Sequence, residues 1–290
     1  MKRNAIVRIV LFSIAVVLLV SILAGGLLLN TVIVNMDWST LFHEEWTNID
    51  GELSSVGSVP ASEIKNIQID WAAGSITIVP GDVDSIAFSE NKGLDEDHQM
   101  VWSQQGNTLV IRYNKTQVFF GFRVDAPKDL LITVPRDWSC YELEIDAASA
   151  QVNVNDLTIR TVDFDGASGV CEFVNCNVDH MDVDTASGDI RFSGTLTELD
   201  YDAASASCVL HLNNTPLRID ADMASGDLRL TLPEDCGFTV KLDALNGDFT
   251  SDFTTVTQNG KYICGDGSCV INVSAMSGDV TIRKAEKSAG

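Results

Sequence analysis

Asp184-Thr185-Ala186-Ser187-Gly188-Asp189-Ile190-Arg191-Phe192 joins a small polar corner to an alternating strand, and the chain keeps returning to it. Upstream stand Asp146-Ala-Ala-Ser149 and Asp165-Gly-Ala-Ser-Gly169, downstream Asp202-Ala-Ala-Ser205 and Asp222-Met-Ala-Ser-Gly-Asp227. Two looser copies follow, Asp243-Ala-Leu-Asn-Gly-Asp248 and Ser274-Ala-Met-Ser-Gly-Asp279. The Ser or Asn of successive copies lies 19, 19, 18, 20, 21 and finally 31 residues further on. Self-similarity near 20 residues marks a solenoid, in which each repeat buries its apolar side against its neighbours.

Each corner is flanked by period-2 alternation, the mark of a strand with one buried face. Before it come Leu143 and Ile145, Val162 and Phe164, Met181 and Val183, Leu199 and Tyr201, Leu217 and Ile219. After it come Val152 and Val154, Cys171 and Phe173, Ile190 and Phe192, Cys208 and Leu210, Leu228 and Leu230. These are expected to point inward, with Glu142, Glu144, Asp163, Asp182, Asp200, Glu172, Arg191 and Arg229 outward. Gly suits a tight corner because it tolerates positive φ, and Asp or Ser hydrogen-bonds the backbone of the turn. The reading is an all-β parallel β-helix or β-solenoid of about 19-residue coils.

The phrase also fits Ile67-Gln-Ile-Asp70-Trp-Ala-Ala73-Gly-Ser-Ile-Thr-Ile78, with Ala73 at the Ser position, 76 residues before Ser149. Four periods of 19 fill that interval, so irregular coils are expected around Ile86–Phe88, Met100–Trp102, Leu109–Tyr113 and Leu130–Val134. Parallel stacking then sets equivalent side chains about 4.8 Å apart in rows. One row holds Asp70, Asp146, Asp165, Asp184, Asp202, Asp222 and Asp243, with Ser274 in last place. Small Ala and Ser residues form the row beside it.

Residues 9–29 are almost wholly apolar, follow Lys2, Arg3 and Arg8, and precede Asp37, Glu44 and Glu45. Such a run is long enough to cross a hydrocarbon core of about 30 Å as a helix. The charge bias predicts a cytoplasmic N-terminus over residues 1–8, a transmembrane anchor over 9–29 and an extracytoplasmic body. A cleaved signal peptide is the alternative, with small residues at Leu23-Ala24-Gly25. Residues 30–61 read as a juxtamembrane linker: Trp38, Phe42 and Trp46 suit the interface, and Gly51 to Ala61 reads as a flexible spacer. The solenoid then spans 62–284, with a tail over 285–290.

The formal net charge is −22, which excludes nucleic acid and anionic headgroups as favoured partners. Seven cysteines, an odd number for an external protein, do not make a disulfide-dense framework, so burial must hold the fold. Cys171 and Cys208 share an inward strand position two coils apart and read as core residues. Cys264 and Cys269 bracket Gly265-Asp-Gly-Ser268 and are candidates to close a hairpin through a disulfide. Cys140, Cys176 and Cys236 have no evident mate.

No catalytic signature is present. His43, His98, His180 and His211 are scattered without zinc-ligand spacing, and the Gly-rich corners join strands to strands rather than to helices. The Asp row invites Ca²⁺, but one carboxylate per coil is short of a shell of 6–8 oxygens, so capping of backbone N–H groups is the simpler expectation. Asp95-Glu-Asp97 reads as a solvated insert. Neither a catalytic, a cofactor nor a metal-binding residue is assigned. Residues 90–99, 114–128 and 251–268 are the places where long loops would have to build a cleft. Phe119, Phe120 and Phe122 are expected in a core strand or in a cap over an open solenoid end, with a docking patch as the alternative.

These corners, the Ile67–Ile78 opening and the steps Val134-Pro135 and Leu232-Pro233 resemble the DUF4097 β-strand-repeat family over roughly residues 60–284. Many of its members are bacterial and carry the label "putative adhesin", and some follow a single N-terminal membrane helix. The resemblance implies a bacterial cell-membrane protein with an extracytoplasmic solenoid and brings no catalytic residues. Ala150 and Ala206 depart from the family's corner Gly. The resulting expectation is a non-enzymatic binding or scaffold module, adhesin-like or envelope-sensing. It would be held to the lipid bilayer by its N-terminal helix and meet a protein or glycan on its outer face. A carbohydrate-active β-helix, a lyase or hydrolase, is the alternative.

Overall fold

The computed structural model describes residues 51–91, 98–114, 117–119, 122–124 and 127–286. The apolar run 9–29, the aromatic stretch with Trp38, Phe42 and Trp46, and Asp95-Glu-Asp97 lie outside these residues. Among the described residues, no helix is long and apolar enough to cross a membrane.

The body is an all-β stack of parallel ladders, and each regular coil contributes one strand segment to each of two faces. On the first face Ile145 stands beside Phe164, 19 positions on, and Leu199 beside Ile219, 20 positions on. On the second face Val152 stands beside Cys171 and Ile190 beside Cys208, 18 positions on. The register therefore repeats the spacing of the corner phrase residue for residue. Between the faces lies one continuous core: Ile145, Val152, Val183, Ile190, Leu199, Cys208, Leu210 and Leu228 are fully buried, and Phe173 packs on Phe192 at 6.1 Å between ring centroids. Cys171 and Cys208 belong to this core, as their strand positions require.

The fifth copy departs from the expected pattern. Ile219 is fully buried, but Leu217 is 60 % exposed. The inward row runs Ile145, Phe164, Tyr201, Ala221, so Ala221 fills the place next to Asp222 and Leu217 is pushed out to the coil's return corner. An Ala at that place hid the two-residue offset.

Stacking order differs from chain order at both ends. Ile69 stands beside Ile145 on one side and Ile111 on the other, while Ile76 stands between Val152 and Leu130. The coil Asn66–Gly81 thus sits directly against Ser139–Asn155, and the four irregular coils expected between them are absent. Residues from that interval instead make the rung below, through Thr108–Arg112 and Lys128–Pro135. They also add antiparallel strands that close the end, Ser85–Glu90 against Lys128–Pro135 and Val101–Gln105 against Thr108–Arg112. The other end repeats the device. Ile219 meets Ile271, and Val240 meets Ile271 from the far side. The last coil, Cys269–Ser277 and Val280–Lys284, therefore slots in front of Phe238–Asn246, whose outer edge is covered by the antiparallel strands Lys261–Cys264 and Val256–Gln258. Alternation alone could not reveal this order, because any two strands with the same period pair equally well.

Residues 51–61 are part of the fold rather than a spacer. Val56–Pro60 pairs antiparallel with Ser85–Glu90, and Val59 is buried. Gly57 is required there for close approach: a Cβ at this position would lie 2.2 Å from the Phe88 ring. The segments Gln117–Phe119 and Phe122–Val124 form a two-stranded antiparallel sheet of their own, separate from the ladders.

The corners are tight because backbone meets backbone. A Cβ on Gly226, whose φ is +145°, would lie 1.8 Å from the Ala206 carbonyl oxygen in the neighbouring coil. Only Gly satisfies both the dihedral and the space. Ala150 and Ala206 are buried in the equivalent row and supply that carbonyl to the Gly of the next coil, so the row tolerates Ala on one side of each contact.

Candidate functional site: a two-row acidic face

Outward residues of the first face fall into two adjacent acidic rows, two residues apart along every strand. One row runs Gln68, Glu144, Asp163 and, further along the stack, Asp200, Asp220, Asn272 and Lys241. The other runs Arg112, Asp70, Asp146, Asp165 and then Asp202, Asp222, Ser274 and Asp243. Asp182 and Asp184 fill the coil between by the repeat. Ser274 lies between Asp222 and Asp243 and not at the end of its row, because the last coil is inserted.

Carboxylates stacked about 4.8 Å apart repel, and the structure answers this in three ways. At the N-terminal end Arg112 Nε lies 2.7 Å from Asp70. Near the C-terminal end Arg218 bridges two neighbouring carboxylates of the first row, with Nη1 2.6 Å from Asp220 and Nη2 3.0 Å from both Asp200 oxygens, while Asn272 donates to Asp220 at 2.8 Å. His180 lies 3.7 Å from Glu198 and 3.9 Å from Asp200. In between, protonation takes over. Burial first, and then the Asp70 and Asp165 carboxylates, push Asp146 up to about 8, and burial followed by Asp163 raises Glu144. Asp146 also shares a hydrogen bond with Asp70.

The second Asp of the corner phrase does separate work that the sequence analysis did not assign to it. Asp189 Oδ1 accepts from the Ser207 N–H (3.1 Å), and Ser207 Oγ from the Asp227 N–H (3.3 Å). Asp227 Oδ1 accepts from the Asp279 N–H (3.0 Å), and Asp279 Oδ1 from the Asp248 N–H (2.9 Å). This is a run of backbone caps that follows the stacking order, including its out-of-sequence step from 227 to 279 to 248. The signal is legible as Ser-Gly-Asp in three copies and Asn-Gly-Asp in a fourth, whereas the first Asp is present in more of them.

Among the described residues, no three His, Cys, Asp or Glu side chains converge so as to hold a metal ion. Of the three stretches that could have built a cleft, 251–268 forms the antiparallel strands over the C-terminal end, and 92–97, 115–116, 120–121 and 125–126 lie outside the described residues. Open grooves lie among the described residues. One, of about 700 Å³, runs past Asp82, Asp84, Arg136 and Trp138, and one of about 400 Å³ follows Thr158, Asn177 and Thr195 at the return corners. Cys140 borders the second, where burial pushes its thiol up to about 12, away from the nucleophilic thiolate form.

Repeat, parallel ladders and Ser-Gly-Asp corners together match the sequence profile of the Toastrack family, DUF4097, over residues 64–283. The chain belongs to that family. No curated protein matches it by sequence. Among solved structures it is similar to a "putative adhesin" from Bacteroides fragilis, at 14 % identity over 79 % of this chain and 96 % of that one, with a TM-score of 0.44. It is similar to a "putative cell adhesion protein" from Clostridium sporogenes at 11 % identity over 79 % and 98 % (TM-score 0.36). A "putative lipid binding protein" from Parabacteroides distasonis matches at 13 % identity over 82 % and 99 % (TM-score 0.33).

Proposed function

We propose that this Toastrack chain is a single-pass bacterial membrane protein with an extracytoplasmic solenoid, and that it works as a non-enzymatic binding or scaffold module. Its N-terminal helix, residues 9–29, would anchor it, with Lys2, Arg3 and Arg8 on the cytoplasmic side. The observation that carries the binding reading is the two-row acidic face. Its side chains stand on paired strands, so a partner meets a preformed array and spends little on ordering it. The partner that fits is a basic protein surface, attracted by the field of the stacked carboxylates and sensitive to salt.

The test is a binding panel on the full chain in detergent, with cationic peptides, neutral glycans and acidic glycans compared at low and high salt. Cationic peptides should bind, weaken as salt rises, and bind less to the triple variant Glu144→Gln, Asp163→Asn, Asp182→Asn. Retention of neutral glycans by wild type and variant alike, with shortened sugar products, would replace this reading by a carbohydrate-active one.

A further inference from the structure

Three of the seven cysteines are brought together at the C-terminal end of the stack. Phe238 begins its strand between two neighbours, paired with Cys264 on the antiparallel side and with Cys269 on the parallel side. That pairing rules out the hairpin disulfide expected from spacing. A whole strand runs between Cys264 and Cys269, which sets them about 10 Å apart, while a disulfide needs Cα atoms within ~7 Å. Cys236 stands two residues before Phe238, on the same strand end. Cys264 Sγ lies 3.8 Å from the Cys236 carbonyl oxygen, and Cys236, raised chiefly by burial, feels the Cys264 thiol as a lesser cause, as Cys269 feels Cys236. The loop between the strands is tied to the same spot, since the Cys269 N–H and Ser268 Oγ both donate to the Gly237 carbonyl.

Exposure separates the three. Cys264 is part-exposed, while Cys236 and Cys269 are buried, at 3 % and 0 %. Cys140, Cys171, Cys176 and Cys208 are buried elsewhere in the stack. Cys264 is thus the thiol that an oxidant can reach, and Cys236 is the neighbour placed to resolve it.

We infer that Cys236 and Cys264 form a redox-controlled disulfide that staples the strands Val256–Gln258 and Lys261–Cys264 to the end of the solenoid. The Cys264 thiolate attacks one sulfur of a disulfide oxidant such as oxidised glutathione, giving a mixed disulfide and releasing one thiol. The Cys236 thiolate, its proton passed to solvent, attacks Cys264 Sγ and expels the second thiol. Two thiols are oxidised and one disulfide is reduced, so electrons balance. The bond closes a loop that contains the cap strands, which stabilises the end by restricting the unfolded chain. An extracytoplasmic setting, which belongs to the proposed function, would supply such an oxidant; the chemistry itself does not depend on it.

The experiment treats the reduced full chain with oxidised glutathione, then maps peptides by mass under denaturing conditions with free thiols blocked. The expected product has lost two hydrogens and two of seven free thiols, carries a Cys236–Cys264 cross-linked peptide, and melts about 5 °C higher. The variant C264S, at the part-exposed position, should form no intramolecular cross-link and show no such rise. Seven thiols remaining, a stable glutathione adduct on Cys264, or a Cys236–Cys269 peptide would each overturn the inference. The binding panel above is read on reduced protein, so the two proposals fail independently.

Discussion

At the N-terminal end the coil Asn66–Gly81 is clasped between chain segments that come after it, and at the C-terminal end the coil Cys269–Lys284 is clasped between segments that come before it. Both ends therefore hide the edge of a parallel ladder under antiparallel strands, which removes a template for unwanted pairing. The fastening differs. The first end is held by buried charge: Lys128 Nζ lies 3.4 Å from Glu90, donates to the His98 and Asn114 carbonyls, and sits 4.4 Å from the Tyr113 ring centroid. Glu90 accepts from the Met100 N–H at 2.6 Å, and the Trp71 indole donates to the Lys128 carbonyl. The second end is held by rings, with Phe238 against Phe253 at 5.3 Å and Phe249 stacked on Tyr262 at 4.3 Å. One closure thus depends on every polar partner being present, while the other degrades gradually as contacts are lost.

The largest effect should come from breaking the first closure. Lys128→Met leaves Glu90 buried without its cation and should cost about 3–5 kcal/mol in thermal or denaturant unfolding. The double variant Lys128→Met, Glu90→Gln should recover most of that loss, since it removes both charges together. A double variant no better than the single one would show that Lys128 acts through its stem and backbone contacts alone.

Phe253→Ala tests the other closure. Phe253 is 6 % exposed, packs edge-on against Phe238, and lies under Lys284 Nζ at 5.1 Å. Removing the ring should cost about 3 kcal/mol, and no second substitution of opposite charge should restore it. Hydrogen exchange should quicken at Lys261–Cys264 and stay slow at Val101–Gln105, if the ends are independent units.

How far the sequence reached follows the same division. In the middle, period and alternation were enough, because Val162, Phe164, Ile190 and Phe192 leave a strand only one way to face. At the ends they were not, since Leu109-Val-Ile111 and Leu130-Leu-Ile132 read as apolar strand segments as readily as any coil, and their partners depend on loops whose closure has no local signature. Leu217 was misplaced because Ala221 is small enough to pass for a corner residue. The acidic face was half legible: the corner Asp row was aligned by its spacing, but the second row, with Asp220 and Asn272, and the place of Ser274 needed the register. The Cys236–Cys264 proximity was invisible, because it depends on which strand lies between Cys264 and Cys269.

Acidity sharpens the contrast between the ends. Asp146 and Glu144 pack against the clasped N-terminal coil, and both are raised, as is Glu90, in each case through burial first. At the other end, exposed Asp266 is lowered by hydrogen bonds from Ser268. A carboxyl raised on folding binds its proton more tightly in the folded chain. Its contribution is thus full below the ordinary carboxyl range near 4 and is lost as pH climbs towards 8. The N-terminal coil should loosen over that window, with amide exchange at Ile69 and Ile145 rising before that at Ile271. Asp146→Asn should stabilise the chain by ~1–3 kcal/mol at pH 8 and by almost nothing at pH 4. An equal gain at both pH values would assign the effect to packing and not to charge.

The smallest effect belongs between the ends and serves as their control. Tyr201 is 1 % exposed in the inward row between the two closures, and its hydroxyl oxygen is buried without a hydrogen-bond partner. Burial also pushes its ionisation upward, well out of reach of physiological pH. An unmade hydrogen bond leaves the desolvation of that hydroxyl uncompensated, so Tyr201→Phe should stabilise by up to about 1 kcal/mol with little change in volume. Because Tyr201 touches neither closure, the gain should be the same at pH 4 and pH 8 and should add to the cost of either Lys128→Met or Phe253→Ala. Departure from additivity with one of them alone would show that the middle of the stack is mechanically joined to that end, and would identify which closure the core leans on.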